Sequence, residues 1–326
     1  MSSRLFRAGL LALSISAILL SCSTPGFFKL SRTNFGLIVD PFQNLEFEFS
    51  AALAPDSLID KVDTTAYITF EPALKGVYKW ASPEKLVFMP SAPFAPNTDY
   101  KAVVTKQVGR FSDLKPDESI KPIEFHTPYL TLERSNAYWG INEADKNQIQ
   151  LKVSMQFNYA VNIDEIRQKL AVALKEQPKT FDISEVTEAN QITIAIPASV
   201  NEKLDGNINL TLKKGFRCIG SEREIPSDEV YSTPVPPRDA LNISDVSADF
   251  VDAEGVITFY TAQPVVEKGL KGLIKVNPHV DFQASTAGNG FNITGAFADG
   301  QSYEVWVSGK LKGVFGPALE VDFQQA

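Results

Sequence analysis

The chain has 326 residues, of which 44% are hydrophobic and 21% charged, and a formal net charge of −8. That length holds two or three domains with packed cores, and the balance excludes a disordered or fibrous chain. An acidic polypeptide without a Lys/Arg stripe is a poor match for nucleic acid, so no nucleic-acid partner is expected.

In chain order, residues 1–21 read as an export signal. Arg4 and Arg7 supply a positive start, and Ala8 to Leu20 is an apolar run of about 13 residues, short of the roughly 20 that span a bilayer. The run ends in Leu19-Leu20-Ser21-Cys22. This resembles the bacterial lipobox, which implies cleavage before Cys22 and acylation of the new N-terminal cysteine. The plainer alternative is an ordinary small-residue cleavage site. The resemblance thus implies Cys22 as the lipid attachment site and membrane lipid as the partner at this end, and several acyl chains there anchor stably because each buried CH₂ adds about 0.8 kcal/mol. Residues 22–26 read as a tether whose lack of an acidic run favours a periplasm-facing, lipid-anchored location. Removing residues 1–21 takes away two arginines and no acid, leaving −10. No later run reaches the ~18 apolar residues of a membrane helix.

Val, Ile, Thr, Phe and Tyr are plentiful and are punctuated by 20 Pro and 19 Gly, which favours short strands over helices. A first domain is expected over 27–128. Leu45–Phe49, Ala66–Phe70 and Ile123–Thr127 alternate apolar and polar residues, as half-buried strands require. Lys85–Pro90 and Asp99–Val104 add two more strands. The turn Pro96-Asn97-Thr98 running into Tyr100 suits a sandwich corner, where the tyrosine hydroxyl ties back to backbone.

A second domain is expected over 129–234, with one helix. Asn162 is a good N-cap and Glu165 stands three residues on, as in a capping box. Ile163, Ile166, Leu170, Ala173 and Leu174 recur at helical spacing, and Pro178 ends the run. Gln191–Pro197 and Asn207–Leu212 are alternating strands. Thr233-Pro234-Val235-Pro236-Pro237 reads as a stiff linker. A third domain follows over 238–326, with strands at Gly255–Phe259, Gly290–Thr294 and Ser302–Val307 and an Asn-Gly hairpin turn in Gly288-Asn289-Gly290.

A single pattern recurs through all three. A strand ends in an aromatic, bends, passes a Leu/Ile segment and closes on X-Pro. It starts at Phe49, recurs 108 residues on at Phe157, and again 102 further on at Phe259. Solenoid repeats run roughly 20–50 residues, whereas an immunoglobulin-like sandwich takes about 100. The fold expected is all-β: tandem immunoglobulin-like β-sandwiches with one short helix in the second.

Residues 49–104 carry Phe49, Pro72, Gly76, Trp80, Leu86, Phe88, Pro90, Pro96, Thr98 and Tyr100 in a pattern that resembles an immunoglobulin-like module near the start of bacterial alpha-2-macroglobulins. That family traps proteases, and its members often begin with a lipobox. The resemblance implies the N-terminal, membrane-anchored scaffold portion of such a protein, with macroglobulin-like sandwiches at 129–234 and 238–326. Proteases or downstream macroglobulin domains are the partners it implies. The family's thioester needs a Cys-x-x-Gln run. Cys22 is followed by Ser-Thr-Pro and Cys218 by Ile-Gly-Ser, so neither fits, and no bait segment is recognised. The alternative is a stand-alone envelope lipoprotein that binds a glycan or protein partner.

Chemistry is thinly supported. The two histidines, His126 and His279, read as surface or edge residues; they offer no His₂ or His₃ metal cluster, and no cysteine pair supplements them. No Gly-x-Ser-x-Gly elbow or phosphate-binding glycine loop occurs. No catalytic residue, metal or cofactor is expected, and the chain is read as a non-enzyme. Asp245, Asp249, Asp252 and Glu254 could offer oxygen ligands to calcium but read as solvated turn acids. Asp182 and Glu185 could be cast as a glycosidase pair, though nothing positions them. Trp80, Tyr78 and Trp139 could form a sugar-stacking platform or simply fill cores. Cys218 reads as a small buried hydrophobe, with no disulfide framework.

Overall fold

Period-2 alternation places every second side chain on one face of a strand, and a sheet with one apolar face needs a second sheet to cover it. The computed structural model, which describes residues 26–142, 145, 148–198, 204–251 and 254–326, meets this need three times over with one topology.

In the first sandwich the strands are β1 (Leu30–Thr33), β2 (Leu45–Phe49), β3 (Ile68–Glu71), β4 (Gly76–Ser82), β5 (Lys85–Pro90), β6 (Asp99–Val104) and β7 (Ile123–His126). They form sheets of order β1-β2-β5-β4, extended by the short strand Val62–Asp63, and β7-β6-β3. The second has β8 (Leu132–Ile141), β9 (Ile149–Phe157), helix α1 (Ile163–Lys169), β10 (Leu170–Leu174), β11 (Asp182–Glu188), β12 (Gln191–Ala198), β13 (Asn207–Leu212) and β14 (Glu229–Pro234). Its sheets run β8-β9-β12-β11 and β10-β13-β14, the latter extended by Gln177–Lys179. The third has β15 (Ile243–Val251), β16 (Glu254–Thr261), β17 (Ile274–Asn277), β18 (Phe282–Ala287), β19 (Gly290–Gly295), β20 (Glu304–Val307) and β21 (Phe323–Gln325), in sheets β15-β16-β19-β18 and β17-β20-β21.

Numbered within each set, strands one, two, five and four make one sheet, and three, six and seven the other. That is the constant-type immunoglobulin arrangement. The recurring aromatics sit on strand two each time. Phe49, Phe157 and Phe259 are all buried. Phe49 packs against Trp80 at 6.2 Å between ring centroids, Phe157 stacks on Phe216 at 5.9 Å and Phe259 on Phe291 at 4.6 Å. Burying each such side chain contributes about 1.5–3 kcal/mol. The chain is all-β, with immunoglobulin-like sandwiches in tandem along the sequence.

By compactness the chain divides into two units. One holds the first sandwich; the other holds segments 38–41 and 93–99 together with everything from His126 onward, and so includes both later sandwiches.

Several local expectations need correction. The helix is two turns long and ends at Lys169, so Leu170, Ala173 and Leu174 are not on it. Leu170, Val172 and Leu174 point inward with Ala171 and Ala173 between them, a period of two, and the segment pairs with β13 from Leu170↔Leu212 to Leu174↔Ile208. Partner-strand hydrogen bonds and a shared core override the helical spacing. The capping box is half made. Asn162 accepts from the Asp164 N–H at 2.9 Å, but Glu165 turns away to Lys169 at 3.1 Å and to the Arg217 N–H at 3.2 Å. The segment read as a linker is packed. Pro234 closes β14, an edge strand where a missing N–H is tolerated, Thr233 and Val235 are buried, and the Val235 N–H donates to Gly206 O at 2.8 Å.

In the β18–β19 hairpin Ala287 pairs with Gly290, so the loop is Gly288-Asn289, with Gly288 at φ +46°. Asn289 does not adopt a left-handed backbone as the Asn-Gly reading implied. Gly290 is needed for another reason. A Cβ there would lie 1.8 Å from Phe259 O, whereas one on Gly288 meets nothing within 4 Å. Gly290→Ala should therefore cost about 2–4 kcal/mol or abolish folding, and Gly288→Ala about 1–2 kcal/mol from its left-handed backbone alone. Equal losses in chemical denaturation would contradict this account.

Candidate functional site

Placing the sequence's candidates disposes of most of them. Cys22, with the signal and all but Gly26 of the tether, lies outside the described residues, as does Asp252. Trp80, Tyr78 and Trp139 are buried, so they form no exposed platform. Trp80 packs edge-on to Tyr67 at 5.6 Å, and the Trp139 Nε1–H donates to Pro236 O at 2.8 Å. Cys218 lies in the core of the second sandwich, and burial pushes its thiol up. His279 is exposed, as expected. His126 is not: it is buried, stacks on Tyr129 with centroids 4.0 Å apart, and donates from Nδ1 to Thr127 O. Asp245, Asp249 and Glu254 fall on β15 and β16, with Asp245 3.6 Å from Arg134. Among the described residues no group of three His, Cys, Asp or Glu is placed to hold a metal ion. Among them also, no helix is long and apolar enough to cross a membrane. Asp182 and Glu185 lie on β11, an edge strand.

A tyrosine that ties back to backbone is present in the third sandwich. The Tyr303 hydroxyl accepts from the Ala298 N–H at 2.8 Å, upstream of β20. Tyr100 in the first is buried and stacks on Phe125 at 5.3 Å.

Two polar assemblies in the second compact unit were not foreseen. The first surrounds Asn97, which is 2% exposed with φ +49°. Its amide donates to Arg223 O at 3.0 Å and to Ser221 Oγ at 3.3 Å, and its Oδ1 accepts from the Leu130 N–H at 3.1 Å. Beside it Arg223 pairs with Asp99 and lies 4.0 Å over the Tyr129 ring, whose hydroxyl donates to Asp99 at 2.7 Å. One asparagine thus ties three segments together.

The second is a cleft of about 430 Å³ walled by the second and third sandwiches. One wall is the outer face of β8-β9-β12-β11. Cross-strand register aligns Arg134 with Gln156 and Gln191 in one row, and Asn136 with Ser154, Thr193 and Glu185 in the next. The other wall presents Thr258, Tyr260, Asn289 and Asn292. The walls are bridged by Arg134–Asp245, and β8 also gives its Trp139 N–H to Ala262 O at 2.8 Å. Buried Gln263 holds the approach to the third sandwich, donating to Ala240 O at 3.0 Å and accepting from the Phe315 N–H at 2.9 Å. Tyr138, on the cleft wall, is pushed up to about 12 by burial and then by the charge of Glu185.

No sequence signal marked either assembly. β8 itself was missed because Ala137, Tyr138, Trp139 and Gly140 are all buried in succession, so its apolar residues do not alternate.

The fold therefore defines tandem immunoglobulin-like sandwiches, with no catalytic grouping recognised among the described residues. No family model matches the chain. It is 23% identical over 257 residues to an alpha-2-macroglobulin homologue of Yersinia pestis, covering 74% of this chain and 13% of that protein. It is 23% identical over 230 residues to the alpha-2-macroglobulin of Pasteurella multocida (strain Pm70), covering 65% and 12%. A crystal structure of native Escherichia coli alpha-2-macroglobulin spanning domains MG0-NIE-MG1 is 11% identical, covers 92% of this chain and 96% of that one, and has a TM-score of 0.22, so the fold rests on the strand order above. The chain is related to the bacterial alpha-2-macroglobulins and spans about an eighth of the length of the relatives it matches.

Asn97→Ala removes both amide donors and leaves the Leu130 N–H orphaned. It should cost about 2–4 kcal/mol in denaturant unfolding, and an unchanged midpoint would refute the role given to this residue. Burial also pushes Tyr78 up to about 12. Below pH 10, the ordinary value, Tyr78 and Tyr138 are neutral folded or unfolded, so their contribution is fully present. Between 10 and 12 the unfolded chain ionises first and the contribution is lost. Part of the tyrosinate absorbance should thus rise only as the β-sheet dichroism disappears; full ionisation with the sheets intact would contradict it.

Proposed function

We propose that the chain is the membrane-anchored scaffold at the N-terminal end of an alpha-2-macroglobulin-like protease trap. The supporting observation is the relation to two bacterial alpha-2-macroglobulins over most of this chain, joined to a repeated sandwich with no catalytic grouping recognised among the described residues. In this reading Cys22 carries the lipid, residues 23–26 form the tether and the sandwiches hold the trap at a set distance from the periplasmic face of a membrane. Rigid β-sandwiches suit that task because their cores resist deformation. Polypeptide elsewhere supplies the bait that proteases cut and the reactive bond that captures them, since neither Cys22 nor Cys218 begins a Cys-x-x-Gln run. This chain performs no catalysis.

Two measurements test the reading. Cells expressing the chain and fed labelled palmitate should yield a labelled product in the membrane fraction, and Cys22→Ala should lose both label and membrane association. An unlabelled, freely soluble product removes the anchor from the proposal. Sequencing the transcript beyond the codon for Ala326 tests the scaffold role. Further sandwiches and a Cys-x-x-Gln run in the same frame or the adjoining gene are expected, and their absence would overturn it.

A further inference from the structure

We propose that the cleft between the second and third sandwiches binds an uncharged, polyhydroxylated ligand: a segment of neutral oligosaccharide. This inference stands apart from the scaffold reading and needs neither the lipid nor a protease.

The cleft's volume of about 430 Å³ falls among small-molecule sites, which run from about 300 to 1,000 Å³. Its lining differs from most of them, being largely amides and hydroxyls. Alternation along the strands brings this about. Arg134, Asn136 and Tyr138 on β8, Ser154 and Gln156 on β9, and Gln191 and Thr193 on β12 are each two residues apart, so all project from one face. Register then assembles them into the two cross-strand rows, repeated at the strand spacing of about 4.8 Å. Apart from Arg134 and Glu185 at their ends, the rows offer neutral donors and acceptors at a regular interval, which matches a guest whose hydroxyls also repeat along its length.

The same lining disfavours other guests. Nucleic acid needs several cations for its phosphates, and the cleft's Arg134 is already engaged with Asp245 at 3.6 Å. An apolar guest needs an apolar surface, yet Phe259 is fully buried and Tyr138 nearly so. Tyr260 is half-buried and lines the cleft, leaving one ring available to the C–H face of a sugar. A peptide adding as a strand needs an open sheet edge, and the rows lie on a sheet face.

An unmet bonding need points the same way. Asn292, opposite Thr258 in the β16–β19 ladder, has its Oδ1 buried without a hydrogen-bond partner. Buried acceptors are ordinarily satisfied, and a ligand hydroxyl supplies the missing donor.

The test is calorimetric titration of the full chain with maltoheptaose, cellohexaose and chitohexaose, and with an uncharged Ser/Asn/Gln octapeptide. At least one sugar should bind at millimolar concentration or better, and the octapeptide should not. The double substitution Asn136→Ala/Gln156→Ala, at half-exposed positions, should weaken binding at least about ten-fold while leaving the thermal midpoint in place. Asn292→Ala, on the opposite wall, should weaken it independently. Sugar binding unchanged in both variants would place the site elsewhere and overturn the proposal. So would binding of the peptide alone, or of none of these compounds.

Discussion

A sheet with one apolar face cannot stand in water alone, and the whole chain is organised by the need to cover that face. Each unit of seven strands meets it with the same division, four strands against three. The aromatic on strand two then sits where the sheets face each other. Phe49, Phe157 and Phe259 are all buried there, yet each finds a different partner: Trp80, Phe216 and Phe291. Constancy of position with variety of partner is what close packing demands when the surrounding sequence has drifted, since volume has to be filled but no single pair is obligatory.

Covering the inner faces leaves the outer faces and the connections free for polar work. In the second compact unit both are used. Segment 93–99 is bound through the amide of Asn97, and Gln263 fastens the chain entering the third sandwich. Such buried amides cost desolvation unless every donor and acceptor is met, and once met they hold one geometry against alternatives. The second and third sandwiches are themselves joined by the Trp139 N–H donating to Ala262 O and by Arg134–Asp245, and two of their sheet faces shape the cleft. A scaffold role and a binding role are thus compatible, because rigidity serves both.

Legibility in the sequence followed the type of interaction. Asp99–Val104 was readable to the residue because a half-buried strand writes its two faces into alternate positions. The helix start at Asn162 was readable because a cap is local chemistry. The helix end was not. Leu170-Ala-Val-Ala-Leu suits a helix or a strand, and the partner that decided, β13, lies some forty residues away. Thr233–Pro237 looked like a spacer because proline excludes central strands, but an edge strand and a buried Val235 accommodate it. His126 looked like a surface residue because nothing near it in sequence reveals the Tyr129 ring stacked upon it.

By itself the sequence determined what short-range patterning can encode: an all-β chain, the roughly hundred-residue beat of its sandwiches, and their principal strands. Tertiary structure alone decided which polar residues meet. Asn136 and Thr193 are aligned through Ser154 across three strands, and Arg134 reaches Asp245 in another sandwich. Those neighbours are set by register and packing between segments far apart in the chain. Such relations depend on how the finished sheets face one another, which no local spacing of residue types records.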